Sequence, residues 1–196
     1  MKKIAICLFI VSSLILLPTA CTNPDTPPVN PETASPLPDP NRFDYTAKTY
    51  DISSFDGKYK VQGRCPIVSY QPPNAKEEIE ALALDYSCAA FSFNAYCEGD
   101  VTAEIYTAPT AIGGNKLYLN VSVDGVKNDS RKDYRLSGRK NHTVTMASGL
   151  EKGLHTFVIE RQTEAERGLI YLNSVSINGE ILSLIHISEP TRRSYI

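Results

Sequence analysis

Residues 144–180 decide the fold, and they read VTMASGLEKGLHTFVIERQTEAERGLIYLNSVSINGE. Val, Ile, Phe, Tyr and Thr, which favour strands, fill three runs in this stretch, and glycines separate the runs. The pattern predicts three consecutive β-strands at residues 144–147, 155–162 and 168–177, joined by tight loops.

The chain upstream of this stretch contains more strands with one apolar face. In residues 84–96, Phe91 and Phe93 alternate with smaller or polar residues, so both rings should lie on one face. The Glu-Gly-Asp sequence at residues 98–100 predicts a turn into a second alternating strand that starts at Val101.

Residues 116–123 show the clearest alternation, and the Asp-Gly pair at 124–125 directly after them predicts a β-hairpin. A shorter strand is predicted at residues 59–62. Residues 76–84 are the only helix-like run, although they could equally lead into a strand, and residues 128–141 are predicted to form a polar loop.

These short strands together predict an all-β fold, a jelly-roll-like antiparallel β-sandwich over residues 43–181. The core of such a fold lies between two sheets. The side chains predicted to fill this core are Phe91, Phe93, Leu119, Val121, Phe157 and Ile159.

The N-terminus has the features of a bacterial lipoprotein leader. Lys2 and Lys3 precede an apolar run over residues 4–17, which is shorter than the roughly 20 residues of a membrane-spanning helix. Leu-Pro-Thr-Ala then leads into Cys21, which resembles a lipobox. We expect residues 1–20 to be removed and Cys21 to carry the lipid that anchors the protein to a membrane of the bacterial cell envelope. An ordinary signal peptide with an incidental cysteine is the alternative.

Residues 21–42 predict a linker without regular structure between this leader and the folded part. Seven of the 13 prolines of the chain lie here among small polar residues, a composition that favours extended polyproline II conformation. The formal net charge of −2 lacks the basic excess typical of nucleic-acid-binding proteins, so no nucleic-acid partner is expected.

Three short segments of the opening stretch resemble a known family. They are Ser148-Gly149-Leu150, Gly153-Leu154-His155-Thr156 and Glu160-Arg161-Gln162-Thr163-Glu164-Ala165. They resemble the end of the N-terminal β-sandwich domain of family 2 carbohydrate esterases, and the likeness extends over residues 63–181. In that family the sandwich precedes a hydrolase domain of the SGNH (GDSL-like) type. The resemblance implies a non-catalytic accessory domain whose parent is an esterase or deacetylase acting on acetylated polysaccharide.

The last residues lead to the expectation that the hydrolase domain is missing. Residues 182–192, LSLIHISEPTR, resemble the translation of a sequencing adapter, so residues 182–196 are interpreted as an artefactual tail. The parent gene is then expected to continue beyond Ile181, and a short genuine tail is the alternative. The resemblance places the family's catalytic Ser and His after this point, so no residue of this chain is assigned a catalytic role.

The chain itself shows no complete catalytic or metal-binding motif. It has no Gly-x-Ser-x-Gly sequence, and His142 and His155 stand apart from any nucleophile motif. His155 is expected to be structural, and Arg161 is expected to form an ion pair with Glu164. No zinc-ligand or EF-hand spacing is present, so no metal or cofactor is expected.

Three cysteines remain for the folded part. Cys88 and Cys97 flank a single predicted strand and are therefore poor disulfide partners. Cys65 could pair with either of them, or all three could be reduced.

Candidate carbohydrate contacts have to come from Tyr or Phe, because the chain contains no Trp. If the domain binds polysaccharide, Tyr106, Tyr118 and Tyr171 are predicted to supply the stacking from an exposed strand face; the alternative is that tyrosine is present only because it favours strands. Two other functions remain open at this point: a free-standing carbohydrate-binding module, and a structural surface-lipoprotein domain that binds no ligand.

Overall fold

A computed structural model describes residues 38–72, 75–114, 116–128 and 134–183. The leader, the lipidation site at Cys21, the linker up to residue 37 and the tail from residue 184 lie outside the described residues, and the predictions made for them stay predictions. No helix within the described ranges has the length and apolar character needed to cross a membrane.

Ten antiparallel β-strands form the described part of the chain. They are β1 (Ala47–Asp51), β2 (Tyr59–Gln62), β3 (Ile67–Tyr70), β4 (Ile79–Ala83), β5 (Ala90–Pro109), β6 (Lys116–Val123), β7 (Val126–Asn128), β8 (Arg135–Ser137), β9 (Lys140–Arg161) and β10 (Gly168–Ile181). The only helical pieces in the described ranges are short 3-10 turns at Pro40–Arg42, Ile52–Phe55, Ala111–Gly113 and Ala165–Arg167. The all-β prediction is confirmed.

The strands follow the order β3-β4-β10-β5-β9-β6-β7, and β1, β2 and β8 join β10, β5 and β6. Three of them, β5, β9 and β10, are long and contain register shifts. Such bulges bend a strand and increase its twist, so one strand can contribute to both layers of a sandwich. β5 pairs with β2 at its start and with β10 over the rest of its length.

Two predicted turns are instead bulges inside long strands. Residues 144–147 and 155–161 belong to the single strand β9, which ends one residue before the predicted boundary, and residues 98–100 do not end β5. Gly99 (φ 74°) and Gly149 (φ 65°) adopt left-handed conformations, and the register between the two strands shifts in the same region. A glycine in this conformation is compatible with a bulge as well as with a turn, which is why the sequence pattern wrongly predicted turns here.

The boundaries of three other segments also differ from the predictions. Residues 76–84 contain the strand β4 and no helix, and the predicted polar loop at 128–141 contains β8. Leu136 of β8 lies opposite Leu117 and is buried with it, so burial of one leucine holds this short strand in place. Contacts with the β-sandwich also begin before residue 43, because the Tyr96 hydroxyl donates to the carbonyl oxygen of Pro38 over 2.8 Å.

The predicted core is confirmed. All six side chains named for it are at most 3% exposed: Phe91, Phe93, Leu119, Val121, Phe157 and Ile159. Phe55, which the sequence pattern did not single out, packs edge-on against Phe91 and Phe93 with ring centroids 5.2 and 5.7 Å apart. The predicted hairpin is also present, because Asp124 (φ 52°) and Gly125 (φ 77°) form the two-residue turn between β6 and β7.

Candidate functional site

A cleft opens where one edge of β10 changes its partner. β4 pairs with Tyr171 and Leu172, whereas β1 pairs with residues 174–178. Asn173 lies between these two pairings, at a register shift against β5 on the other edge. Neither short strand covers this point, and the gap between them is a cleft of about 260 Å³. Its lining residues are Asp51, Ser53, Ile79, Glu80 and Asn173.

A cluster of three tyrosines lies beside the cleft. The ring of Tyr70 packs 5.1 Å from that of Tyr106 and 4.7 Å from that of Tyr171, measured between centroids. Tyr106 and Tyr171 are opposite each other on β5 and β10, with nearly parallel rings 6.2 Å apart. Tyr106 is the buried member of this cluster, and Tyr70 and Tyr171 are half-buried.

One hydrogen bond connects the tyrosine cluster to the cleft. The Tyr70 hydroxyl donates to Asn173 Oδ1 over 2.9 Å. Burial raises the pKa of Tyr70 to about 12, so the phenol keeps its proton and remains a donor at neutral pH. Tyr70 thus binds the carbonyl oxygen of Asn173 and leaves its amide N–H₂ unused. This N–H₂ group has no partner among the described residues and can donate to a ligand.

The cleft walls supply acceptors and an apolar surface. The carboxylates of Asp51 and Glu80 are exposed and form no hydrogen bond or ion pair with any described residue, so their oxygens can accept from a ligand. Ile79, which is 37% exposed, adds apolar surface. The cleft therefore offers an amide donor between two carboxylate acceptors, next to aromatic rings.

The predicted contact residues separate into two places. Tyr106 and Tyr171 come together as part of the tyrosine cluster, but the prediction that both are openly exposed is wrong for Tyr106, which is 6% exposed. Tyr118 lies on β6 opposite Arg135 and takes no part in the cluster. Sequence reasoning missed Tyr70 and Asn173. The strand-like run Ile-Val-Ser-Tyr at Ile67–Tyr70 could have indicated the first, whereas nothing local marks the second.

The two histidines in the described ranges are hydrogen-bonded away from the cleft. His142 Nε2 lies 2.9 Å from Thr107 Oγ1, and burial lowers the pKa of His142. His155 lies 2.8 Å from both Asp124 Oδ2 and the Glu151 carbonyl oxygen, which fastens β9 to the hairpin turn. Burial acts to lower the pKa of His155, but these two hydrogen bonds outweigh it and raise the pKa above its ordinary value. His155 thus has the structural contacts expected of it.

Arg161 does not form the predicted ion pair with Glu164. Its guanidinium is fully buried and donates instead to four backbone carbonyl oxygens at 2.6–2.7 Å, those of Leu84, Thr163, Glu164 and Gly168. The Glu164 carboxylate lies 3.9 Å from Arg167 Nε. Burial lowers the pKa of Arg161, yet a guanidinium stays protonated in proteins, so this residue is a buried cation held by dipoles.

The cysteines offer no disulfide in the described part of the chain. Cys65, Cys88 and Cys97 are all reduced. Burial raises the pKa of the Cys97 thiol to about 12, which makes it a poor nucleophile. Within the described ranges, no group of three or more His, Cys, Asp or Glu side chains is placed to hold a metal ion.

Comparison with solved structures finds this fold in part of two esterases. A family two carbohydrate esterase from Cellvibrio japonicus aligns with a TM-score of 0.50 and 20% identity, over 69% of this chain and 35% of that one. An acetyl xylan esterase from the rumen bacterium Butyrivibrio proteoclasticus aligns with a TM-score of 0.54 and 13% identity, over 70% and 33%. No family model and no curated protein matches the chain.

These alignments confirm the antiparallel β-sandwich fold that the resemblance implied, and at such identities they show the fold alone. This chain spans about a third of the length of each esterase. A carbohydrate-binding module, CBM36 in complex with calcium and xylotriose, aligns with a TM-score of 0.45 and 11% identity, over 69% of this chain and 99% of that one.

Proposed function

We propose that this protein is a non-catalytic accessory β-sandwich domain that binds polysaccharide in the cleft at Asn173. The observation that supports this most directly is the free amide N–H₂ of Asn173, held by Tyr70 between the carboxylates of Asp51 and Glu80. Sugar hydroxyls both donate and accept hydrogen bonds, so they complement such a lining, and aromatic rings beside it provide surface for the apolar face of a sugar ring.

The cleft suits a short segment of a sugar chain. Its volume of about 260 Å³ is below the roughly 300–1,000 Å³ of pockets that enclose small ligands. It lies at a strand edge beside half-buried tyrosines, so a polymer can cross it without threading through the protein. We expect modest affinity per sugar unit, since association also costs translational and conformational freedom.

We further propose that the parent protein is an SGNH-type carbohydrate esterase or deacetylase, lipid-anchored at Cys21 in the bacterial cell envelope. The fold shared with part of two esterases, each about twice as long as this chain, and the family-like segments in residues 148–165 support this proposal. The basic, apolar and cysteine-terminated leader supports the anchor. A free-standing carbohydrate-binding module would use the same cleft, and a purely structural domain would use none.

The cleft is tested by polysaccharide binding. All described strands and core residues lie between residues 38 and 183, so the chain from Thr22 onward retains the fold. It should be slowed in native gels that contain acetylated xylan or cellulose derivatives. Asn173→Ala should abolish the retardation, whereas Asn178→Ala, on the same strand but outside the cleft lining, should retain it. Lack of binding by the wild-type chain to any glycan on an array would favour the structural domain.

The anchor is tested in a bacterial host. The full chain should incorporate labelled palmitate and fractionate with membranes, and Cys21→Ser should do neither. Continued labelling of the Cys21→Ser variant would exclude lipidation at this residue.

A further inference from the structure

A second surface, far from the cleft in the sheet order, has the opposite charge. β6 and β8 pair so that Tyr118 lies opposite Arg135 and Lys116 lies opposite Ser137. Residues opposite each other in an antiparallel pair share a face. Leu117 and Leu136 are opposite each other and buried in the core, so the residues next to each of them along its strand face outward. We call this outward surface, built from Lys116, Tyr118 and Arg135, the cationic face.

Two more exposed cations come shortly after β8 in the chain. Arg139 follows Gly138 in the turn after β8, and Lys140 begins β9; both are exposed, as are Lys116 and Arg135. The ion pairs of the described residues use Lys48, Lys127, His155 and Arg167 as their cations, and none uses these four. The surface is therefore locally positive although the formal net charge of the chain is −2.

Two acidic side chains on neighbouring strands already have partners among the described residues. Glu160 on β9 lies 3.9 Å from Lys127 Nζ and accepts from Asn120 Nδ2 over 3.4 Å. Glu104 on β5 accepts from the Thr143 hydroxyl. None of these four exposed cations has an ion-pair partner among the described residues, so the set is complementary to an anionic partner.

Tyr118 lies between these cations and a row of amides. It is half-buried, and two positions further along β6 Asn120 shares its face. Asn120 accepts a hydrogen bond from the side-chain amide of Gln162, whose backbone N–H donates to the Tyr118 carbonyl oxygen. The backbone at Tyr118 is thus fixed by Gln162, with Arg135 opposite Tyr118 on β8 and Asn120 two residues further along β6.

We propose that the cationic face is a second glycan-binding site, selective for acidic polysaccharides whose sugars carry carboxylate groups. A guanidinium binds a carboxylate through two parallel hydrogen bonds, and the Tyr118 ring can stack on the sugar that bears it. An anionic lipid surface fits less well, because none of the exposed large apolar side chains of the described residues lies on β6 or β8.

The site does not depend on the cleft. β10, β5 and β9 separate β4 from β6 in the sheet order, and the two surfaces share no residue. The cleft presents free carboxylates and would repel an acidic polymer. A failure of either site in binding experiments can therefore be told apart from a failure of the other.

The experiment compares polygalacturonate with the same polymer after its carboxyl groups have been reduced to alcohols. Wild-type chain from Thr22 onward should bind polygalacturonate, bind the reduced polymer at least tenfold more weakly, and lose affinity as salt rises, because exposed charges are screened over about 10 Å at 0.1 M. Lys116→Gln with Arg135→Gln should weaken binding about tenfold. Tyr118→Ala should weaken it with the salt dependence unchanged.

The matched control is Lys58→Gln with Arg64→Gln, which removes the same charge elsewhere and should bind like wild type. Asn173→Ala should also bind polygalacturonate like wild type. Equal affinity for the two polymers, or equal loss in the two double variants, would overturn the proposal. So would binding to phosphatidylserine vesicles without binding to polygalacturonate, which would identify the face as a membrane contact.

Discussion

Arg161 should be the most important single polar side chain for stability. Arg161→Met keeps an unbranched apolar stem but is shorter and removes the donors, which now serve four carbonyl oxygens. The Glu164 carbonyl oxygen also accepts the backbone N–H of Arg167 over 3.2 Å and would keep this hydrogen bond in the variant. The acceptors left unsatisfied would be the other three carbonyl oxygens.

The magnitude follows from those three groups. An unsatisfied buried acceptor costs about 1–3 kcal/mol, which gives a total of roughly 3–9 kcal/mol. The variant no longer has to bury a guanidinium, and this offsets several kcal/mol of that cost. We expect a net loss of about 3–5 kcal/mol in the free energy of unfolding, a large share of the roughly 5–15 kcal/mol typical of a domain.

Urea unfolding followed by tyrosine fluorescence and far-UV circular dichroism measures this loss. Arg167→Met is the control, because the Arg167 side chain is 42% exposed and its 3.9 Å ion pair should contribute less than about 1 kcal/mol. If Arg161→Met unfolds within about 1 kcal/mol of wild type, the four carbonyls do not depend on the guanidinium, and the reasoning is refuted.

Three further predictions follow from the core, the histidine and the missing nucleophile. Phe93→Ala should lower the free energy of unfolding by about 3–5 kcal/mol, because Phe93 is 1% exposed and stacks on Phe157; a loss below about 1 kcal/mol in urea would contradict that packing. His155→Gln should lower the free energy of unfolding most below a pH of about 6.5. The pKa of His155 is raised in the folded state, so its stabilising contribution is complete below the unfolded pKa and is lost as pH rises through the folded pKa. A cost that grows between pH 6 and pH 9 would show the opposite sign. The chain from Thr22 onward should not hydrolyse p-nitrophenyl acetate above background, because no described histidine is hydrogen-bonded to a serine; turnover would show that the catalytic residues have been misplaced.

The sequence predicts well what depends on local alternation. Phe91 and Phe93 alternate with smaller or polar residues, and both are buried because a strand places every second side chain on one face. The Asp-Gly turn was predictable for a similar reason, since two consecutive residues with positive φ suit a two-residue hairpin and few other sequences do.

The sequence does not distinguish turns from bulges, because glycine permits both. Gly99 and Gly149 would each allow the chain to reverse, and only the pairing of β5 with β9 shows that both strands continue. Pairing across tens of residues carries no local signature. For the same reason Leu136 alone could not identify β8, whose existence depends on its contact with Leu117.

The candidate cleft was the least predictable feature, since it exists only where three distant segments meet. Asn173 becomes a ligand donor because β1 and β4 divide one edge of β10 between them and because Tyr70 from β3 holds its amide. The residue type alone does not indicate that a position lies at such a gap between two strands. Tyr106 and Tyr171 were recognisable as aromatic residues on strands, but the position of Tyr70 over them was not.

Arg161 connects stability to the cleft, and this leads to a last prediction. Its guanidinium holds the Leu84 carbonyl, next to the end of β4, and the Gly168 carbonyl at the start of β10. β4 also supplies Ile79 and Glu80 to the cleft wall. Arg161→Lys keeps a buried cation, but its three donors cannot reach all four carbonyls in the fixed geometry of a guanidinium.

In conditions where the variant remains folded, Arg161→Lys should therefore weaken binding of the cleft's glycan and leave binding of polygalacturonate to the cationic face unchanged. Both affinities can be measured on one preparation, so partial unfolding would be visible as a loss of both. A variant that binds both polymers like wild type would mean that β4 keeps its place on β10 without Arg161. The pairing of Tyr171 with Ala83 and of Leu172 with Leu82 would then suffice to shape the cleft.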